Sequence, residues 1–452
     1  KDMNKIKKLY TISIISGCLI LSLTSCDSFL DIQPVGKVIP NTLEEYRALI
    51  TTAYGVDLTD RGLCDMRTED ISVSKDEFDQ NNFKDIERWV ANNPSGTEFG
   101  WSYYYQNIYY ANAIINKKNE ITEGSEADIN QLVGEAYFMR GYMHFLLVNL
   151  YGQPYTKKGA PDSKAIPLKL SLDLEEMPTR NTVEEVYTSI LSDIENARQL
   201  INHKEWETGY NYRFSSLAVD AFESRVRLYR GEWQAAYNAA QHVLEQKNTL
   251  EDYNNSTDFQ MPNTYTSVES ITAYENVYSR NGINASLATP TFVNMFKEED
   301  LRVGKYFGDV DEDNNGNYKI IKTNETSQYR CTFRTAELYL NAAEAIAQLG
   351  QLPEARNYLL KLMEKRYTSA GYTQKKDEVN AMSQAELITE ILKERARELA
   401  FEGHRWFDLR RTTRPELRKT IDGQTLILSQ DDERYTLRIP QSAIAANPDL
   451  MN

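Results

Sequence analysis

Leu228-Tyr229-Arg230-Gly231-Glu232-Trp233-Gln234-Ala235-Ala236 runs a helical segment into a glycine and reaches alanine after four more residues, inside a second helix. Ile346-Ala347-Gln348-Leu349-Gly350-Gln351-Leu352-Pro353-Glu354-Ala355 does the same 119 residues downstream. Glycine stops a helix because it adopts the left-handed conformation at the C-terminal cap without a Cβ penalty. Alanine at the start of the next helix lets the two pack closely. Both stretches therefore read as helix hairpins, and the chain as mainly α.

The hairpins are of the tetratricopeptide-like kind, but their separation far exceeds the roughly 34 residues of a regular array. Helix pairs scattered among other material are expected, and a regular solenoid is disfavoured. Working outward, Thr42 with Glu45, Thr182 with Glu185 and Ser383 with Glu386 are spaced as capping boxes, each opening an amphipathic run. Leu132, Ala136, Met139, Met143, Leu146 and Leu150 recur at helical spacing while Tyr137, Phe138, Phe145 and Val148 cover other faces, so this helix is buried on most sides. Gly152 and Pro154 end it, and Gly134 and Gly141 leave room for a neighbouring helix. Gly 21 and Pro 13 amount to about 7.5% of 452 residues, against roughly 12% in average usage. That scarcity of breakers again favours helix. Near 56–100 and 249–332 the texture turns to Asn, Ser, Thr, Tyr and Gly, which marks two long irregular insertions with a few short strands, the kind of segment that carries function.

At the N-terminus, Lys5, Lys7 and Lys8 precede an apolar run from Leu9 to Leu23, too short for the roughly 20 residues that span a bilayer. Leu23-Thr24-Ser25-Cys26 follows, resembling a bacterial lipobox, so residues 1–25 read as a lipoprotein signal peptide and Cys26 as the lipidated, palmitate-bearing residue. Ile15-Ser16-Gly17-Cys18 fits less well, since more apolar residues follow it. Loss of 1–25 removes four Lys and one Asp and deepens the net charge from −15 to −18. Such a balance argues against a nucleic-acid partner. An exported compartment permits a bridge between Cys64 and Cys331, but two cysteines are no disulfide framework.

Four scattered histidines, with no HExxH, phosphate loop, GxSxG elbow or dinucleotide fingerprint, leave no metal, cofactor or catalytic residue to name. Asp311, Asp313, Asn315 and Gly316 match the opening of a calcium loop, but Lys322 stands where the bidentate Glu belongs, and a polar hairpin turn at Asn314-Asn315-Gly316 is the better reading. Glu394, Arg395, Arg397, Glu398 and Glu402 offer paired carboxylates of the sort a glycosidase uses. Interleaved Arg at these spacings is better read as a salt-bridged helix. Trp101, Tyr104, Tyr105, Ile108 and Tyr109 read as a packed helix face. Aromatic residues in the insertions are the stronger signal, because sugars stack their C–H faces on rings while their hydroxyls need donors and acceptors. Trp89 with Asn92, Asn93, Asp65, Arg67 and Asp70 forms one such group, and Tyr265, Tyr274, Tyr278, Arg280 and Tyr306 a second.

Taken in order, several stretches resemble the SusD/RagB nutrient-binding lipoproteins of Bacteroidetes: Cys26-Asp27-Ser28-Phe29-Leu30-Asp31, Glu135-Ala136-Tyr137-Phe138-Met139-Arg140 through Leu150-Tyr151-Gly152, Arg334-Thr335-Ala336-Glu337 through Asn341-Ala342-Ala343-Glu344-Ala345, Glu394 through Arg405, and Ile439-Pro440 with Asn447-Pro448. The resemblance spans the mature chain, 26–452, as a single SusD-like domain. It implies a mainly α fold of tetratricopeptide-like helix pairs, lipid-anchored on the outer membrane and facing the exterior. It also implies a SusC-like TonB-dependent transporter as partner and an oligosaccharide, or in some members a peptide, as ligand. The matching motifs belong to the scaffold. Position and chemistry alone therefore nominate the ligand contacts: Asp65, Arg67, Trp89 and Asn93 in the first insertion, and Tyr274, Tyr278 and Tyr306 in the second. The expected function is capture of a neutral glycan without catalysis, with a secreted lipoprotein glycosidase as the rival.

Overall fold

The fold is that of a computed structural model describing residues 40–75, 80–90, 99–173, 175–255, 257–323 and 330–451. Its long helices are α1 (Leu43–Tyr54), α2 (Ser102–Asn116), α3 (Glu126–Tyr151), α4 (Val183–Leu200), α5 (Ser216–Arg230), α6 (Trp233–Leu244), α7 (Thr335–Gln348), α8 (Leu352–Glu364), α9 (Ser369–Ala381) and α10 (Gln384–Glu398). The three expected capping boxes start α1, α4 and α10, with side chain and backbone satisfied reciprocally at each. A fourth, Ser125 with Asp128, starts α3. Among the described residues no helix is long and apolar enough to cross a membrane.

Both hairpins form as the sequence predicts. Gly231 and Gly350 take φ of 73° and 79°, and the following amides, Glu232 N and Gln351 N, donate to Arg227 O and Ile346 O at 2.9 and 3.1 Å, the closure of a Schellman turn. The expectation of scattered pairs is corrected. Helix α6 packs directly on α7, so that α2 through α8 lie neighbour on neighbour and the second insertion loops out of a continuous stack. Sequence spacing hid this, since a long excursion between two helices does not prevent their faces from meeting. Helix α3 is buried along most of its length, and a Cβ on its Gly134 would sit 2.7 Å from Ile201 Cγ1 and 2.9 Å from Ile201 N, which explains how closely the end of α4 approaches.

Strands are few and short: β1 (Ile71–Val73), β2 (Ser270–Thr272), β3 (Ser286–Ala288), β4 (Phe307–Asp311), β5 (Asn317–Ile320), β6 (Phe333–Arg334), β7 (Leu417–Ile421) and β8 (Gln424–Leu428). An antiparallel sheet ordered β1-β3-β5-β4 draws one strand from the first insertion and three from the second, with Ile71 opposite Ala288 and Val73 opposite Ser286. The two insertions thus fuse into one lobe, whose own core contains Leu63, Met66, Phe83, Phe292, Phe296 and Phe307. Residues 311–317 form the expected hairpin turn, with Asn315 and Gly316 both at positive φ. Cys64 and Cys331 are buried free thiols, so no bridge joins them.

Where the lobe meets the scaffold, charge is buried on both sides. Glu398 at the end of α10 accepts from Arg302, Arg334 and Arg366, while Glu402 accepts from Arg334 and from Lys322, whose ammonium also donates to Glu398 O and Ala400 O at 2.9 Å. Glu269 closes the network onto Arg334 and Arg366. The salt-bridged helix foreseen for 394–402 is therefore real: Arg397 pairs with Glu394 and Glu390 within its own turns, while Glu398 and Glu402 draw their partners from distant segments.

Candidate ligand-binding surface

The nominated ligand residues that the structure describes lie inside the protein rather than on an open surface. Trp89 is 1% exposed, its indole N–H donating to Arg67 O at 2.8 Å and the Lys419 ammonium lying 5.9 Å from its ring centroid. Tyr274 donates to Ala53 O at 3.2 Å, Tyr278 to Asp65 Oδ2 at 3.0 Å, and the Tyr306 hydroxyl meets that of Tyr253 at 3.0 Å. All three tyrosines are buried. Arg67 is buried as well, its guanidinium 4.8 Å above the Trp406 ring and donating to Arg434 O at 2.7 Å. The fold does bring Trp89 to Arg67 and Tyr278 to Asp65, joining the two insertions, while Tyr274 and Tyr306 serve separate cores. An aromatic residue with a polar handle is buried without penalty when that handle finds an internal partner, and each of these rings has one. Asn93 and Cys26 lie outside the described residues.

Asp65 combines burial with an incomplete hydrogen-bond set. Its Oδ2 accepts from Tyr278 and from Gly403 N, but among the described residues Oδ1 has no partner. Burial pushes its carboxyl up to about 7 against those two bonds. Asp70 is raised to about 6 by burial, opposed by Arg405 at 3.0 Å. Lys419, whose ammonium donates to Met66 O and Ile71 O, is lowered to about 8 by burial. Raised carboxyl values mean that the folded chain holds protons the unfolded chain has already released. Their contribution to stability is full below about pH 4 and is lost as pH rises through 6 to 7. The unfolding free energy is expected to fall by about 1–3 kcal/mol between pH 5 and 8, with Asp65→Asn removing most of the slope in denaturant titrations. A flat wild-type profile would contradict this.

Exposed rings are found elsewhere, on the connection between α4 and α5. Trp206 and Tyr212 are half-buried and Tyr210 is 49% exposed. His203 stacks on Trp206 at 4.0 Å and 10°, and the Arg213 guanidinium lies 5.1, 5.2 and 5.7 Å from the ring centroids of Trp206, Tyr210 and Tyr212. Sequence reasoning passed over this segment because it searched the two long insertions. Three aromatic residues around Gly209 in a short polar connection were the available signal.

Comparison with known proteins fits this architecture. A family model described as the SusD family matches residues 177–452, and one described as starch-binding associating with outer membrane matches 29–228. SusD-like protein P38 of Formosa agariphila is 26% identical, over 93% of this chain and 95% of its own length. A SusD superfamily structure from Bacteroides thetaiotaomicron superposes with a TM-score of 0.74 at 24% identity, covering 90% of this chain and 99% of its own. A laminarin-binding SusD-like protein superposes at 0.61 with 19% identity, covering 82% and 92%. With a family model spanning well over half of the sequence and a scaffold of stacked helix pairs carrying an inserted lobe, the chain belongs to the SusD/RagB family.

Proposed function

We propose that this chain is a non-catalytic, cell-surface nutrient-binding lipoprotein of the outer membrane. It captures oligosaccharide, neutral glycans ahead of acidic ones, and delivers it to a SusC-like TonB-dependent transporter, held to the membrane by lipid on Cys26. The observation that carries this reading is the family match, whose N-terminal model is described as starch-binding associating with outer membrane; a laminarin-binding neighbour of the same fold supports it. Preference for neutral glycans follows from the net charge of −15, which repels polyanions. The paired carboxylates of the Glu394–Glu402 run do not fit the acid role a glycosidase needs. Burial alone would raise Glu394, Glu398 and Glu402, yet their arginine and lysine partners hold all three below the usual carboxylate range. A general acid needs a carboxyl that keeps its proton near neutral pH.

Calorimetry of the purified mature protein against laminarin, starch, xylan and an oligogalacturonide is expected to show binding to a neutral member, with no reducing sugar released on prolonged incubation. Sugar release would overturn the binding-only reading. On intact cells, added protease is expected to cut the protein, and Cys26→Ala to remove it from the membrane fraction. Survival of the protein while a known surface lipoprotein is degraded would rule out the exterior location.

A further inference from the structure

We infer that the α4–α5 connection, built around Tyr210, Trp206 and Arg213, is a carbohydrate-stacking subsite lying outside the fused insertion lobe. The inference rests on the glycan-capture reading and assigns part of that binding to a place the family match does not specify.

Rigidity is the first observation. Gln131 Oε1 accepts from the amides of Asn202 and His203 at 2.9 and 3.1 Å, tying the start of the connection to α3. The Trp206 indole donates to Phe214 O at 3.2 Å, and Tyr212 packs edge-on against Tyr54 at 5.3 Å. Buried Asn211 donates to Tyr265 O at 2.8 Å, fixing the far end to the second insertion. A connection pinned on three sides lowers the ordering penalty of presenting its rings when a ligand arrives.

Open chemistry is the second. The Arg213 guanidinium lies 5.2 Å from the Tyr210 ring centroid, and Tyr210 is nonetheless 49% exposed. The same guanidinium uses only Nε, toward the Tyr212 hydroxyl at 3.4 Å; among the described residues its terminal nitrogens donate to no protein atom. A fixed ring face beside unspent donors is the pairing a sugar requires, the ring for its C–H face and the guanidinium for its hydroxyls. Folding gains nothing from exposing Tyr210, whereas a sugar covering it would remove apolar surface from water.

The test uses the full mature chain, with laminarin, starch, xylan and an oligogalacturonide as probes in calorimetry. Tyr210→Ala and Arg213→Gln are each expected to weaken binding of the glycan that the unmodified protein takes by at least fivefold, with unchanged Tm. Tyr109→Ala, which removes a 39% exposed tyrosine from α2, serves as the control and is expected to leave affinity within twofold. If the unmodified protein binds none of the probes, the glycan reading falls and this inference with it. If it binds one and both variants keep affinity within twofold, the subsite alone is overturned. Loss of co-purification with outer-membrane proteins at unchanged glycan affinity would give the surface to a protein partner, and likewise overturn it.

Discussion

Glu398→Ala is expected to lower the unfolding free energy by at least about 4 kcal/mol in denaturant titrations followed by tryptophan fluorescence. Its carboxylate is fully buried and takes four hydrogen bonds from Arg302, Arg334 and Arg366, at 2.8 to 3.1 Å. Removing it leaves three buried guanidinium groups short of their shared counter-charge, and breaking even a single buried pair in this way costs about 3–5 kcal/mol. The effect is compounded by position. Arg302 and Arg334 come from the second insertion and its closing strand, Arg366 from just beyond α8, and Glu398 from α10, so the carboxylate joins segments that approach one another only in the folded chain. The pH dependence has a definite sign. Burial pushes Glu398 up, but the three arginines together hold it well below the usual range. Its contribution is therefore present above the unfolded value near 4.3 and is lost as pH falls through the folded one. A loss under about 1 kcal/mol would mean that the arginines find other partners.

Trp89→Ala is expected to destabilise the protein by about 3–5 kcal/mol, the range for deleting a large buried aromatic side chain. Its ring fills the space between Arg67 and Lys419, and its N–H satisfies Arg67 O, so truncation opens a cavity and leaves a buried carbonyl without its donor. The same substitution on an exposed stacking ring would leave Tm alone and weaken only glycan affinity. Thermal unfolding and calorimetry on one sample separate the two, and an unchanged Tm with weakened binding would show that the ring faces a ligand.

The Trp89 region shows where sequence reading reaches its boundary. A tryptophan near Asn and Arg in an irregular segment has the same local appearance whether its partner is a sugar or a carbonyl 22 residues back along the chain. The capping boxes carry no such ambiguity, because Thr42 with Glu45 and Ser383 with Glu386 complete their hydrogen bonds within one turn. Ser125 with Asp128 was missed only because Asp takes the place of Glu, a carboxylate one methylene shorter in the same exchange. For the Glu394–Glu402 run, sequence spacing indicated salt bridging but could not name Arg302, Arg334 or Arg366, which lie 92, 64 and 32 residues from Glu398 or its neighbour Glu394.

By itself the sequence determined three helix starts, the buried helix through Leu132 to Leu150, the two glycine-closed hairpins and the family, since each depends on residues within a few positions of one another or on their order along the chain. Tertiary structure decided that the hairpins are neighbours in one stack, that the two insertions share a sheet, and which rings are buried. Those outcomes depend on contacts between segments up to a few hundred residues apart, where burial and hydrogen-bond satisfaction across the whole fold select the partner. Trp89 and Tyr210 are both aromatic residues in polar loops; one finds its partners inside the protein, and the other is left half exposed.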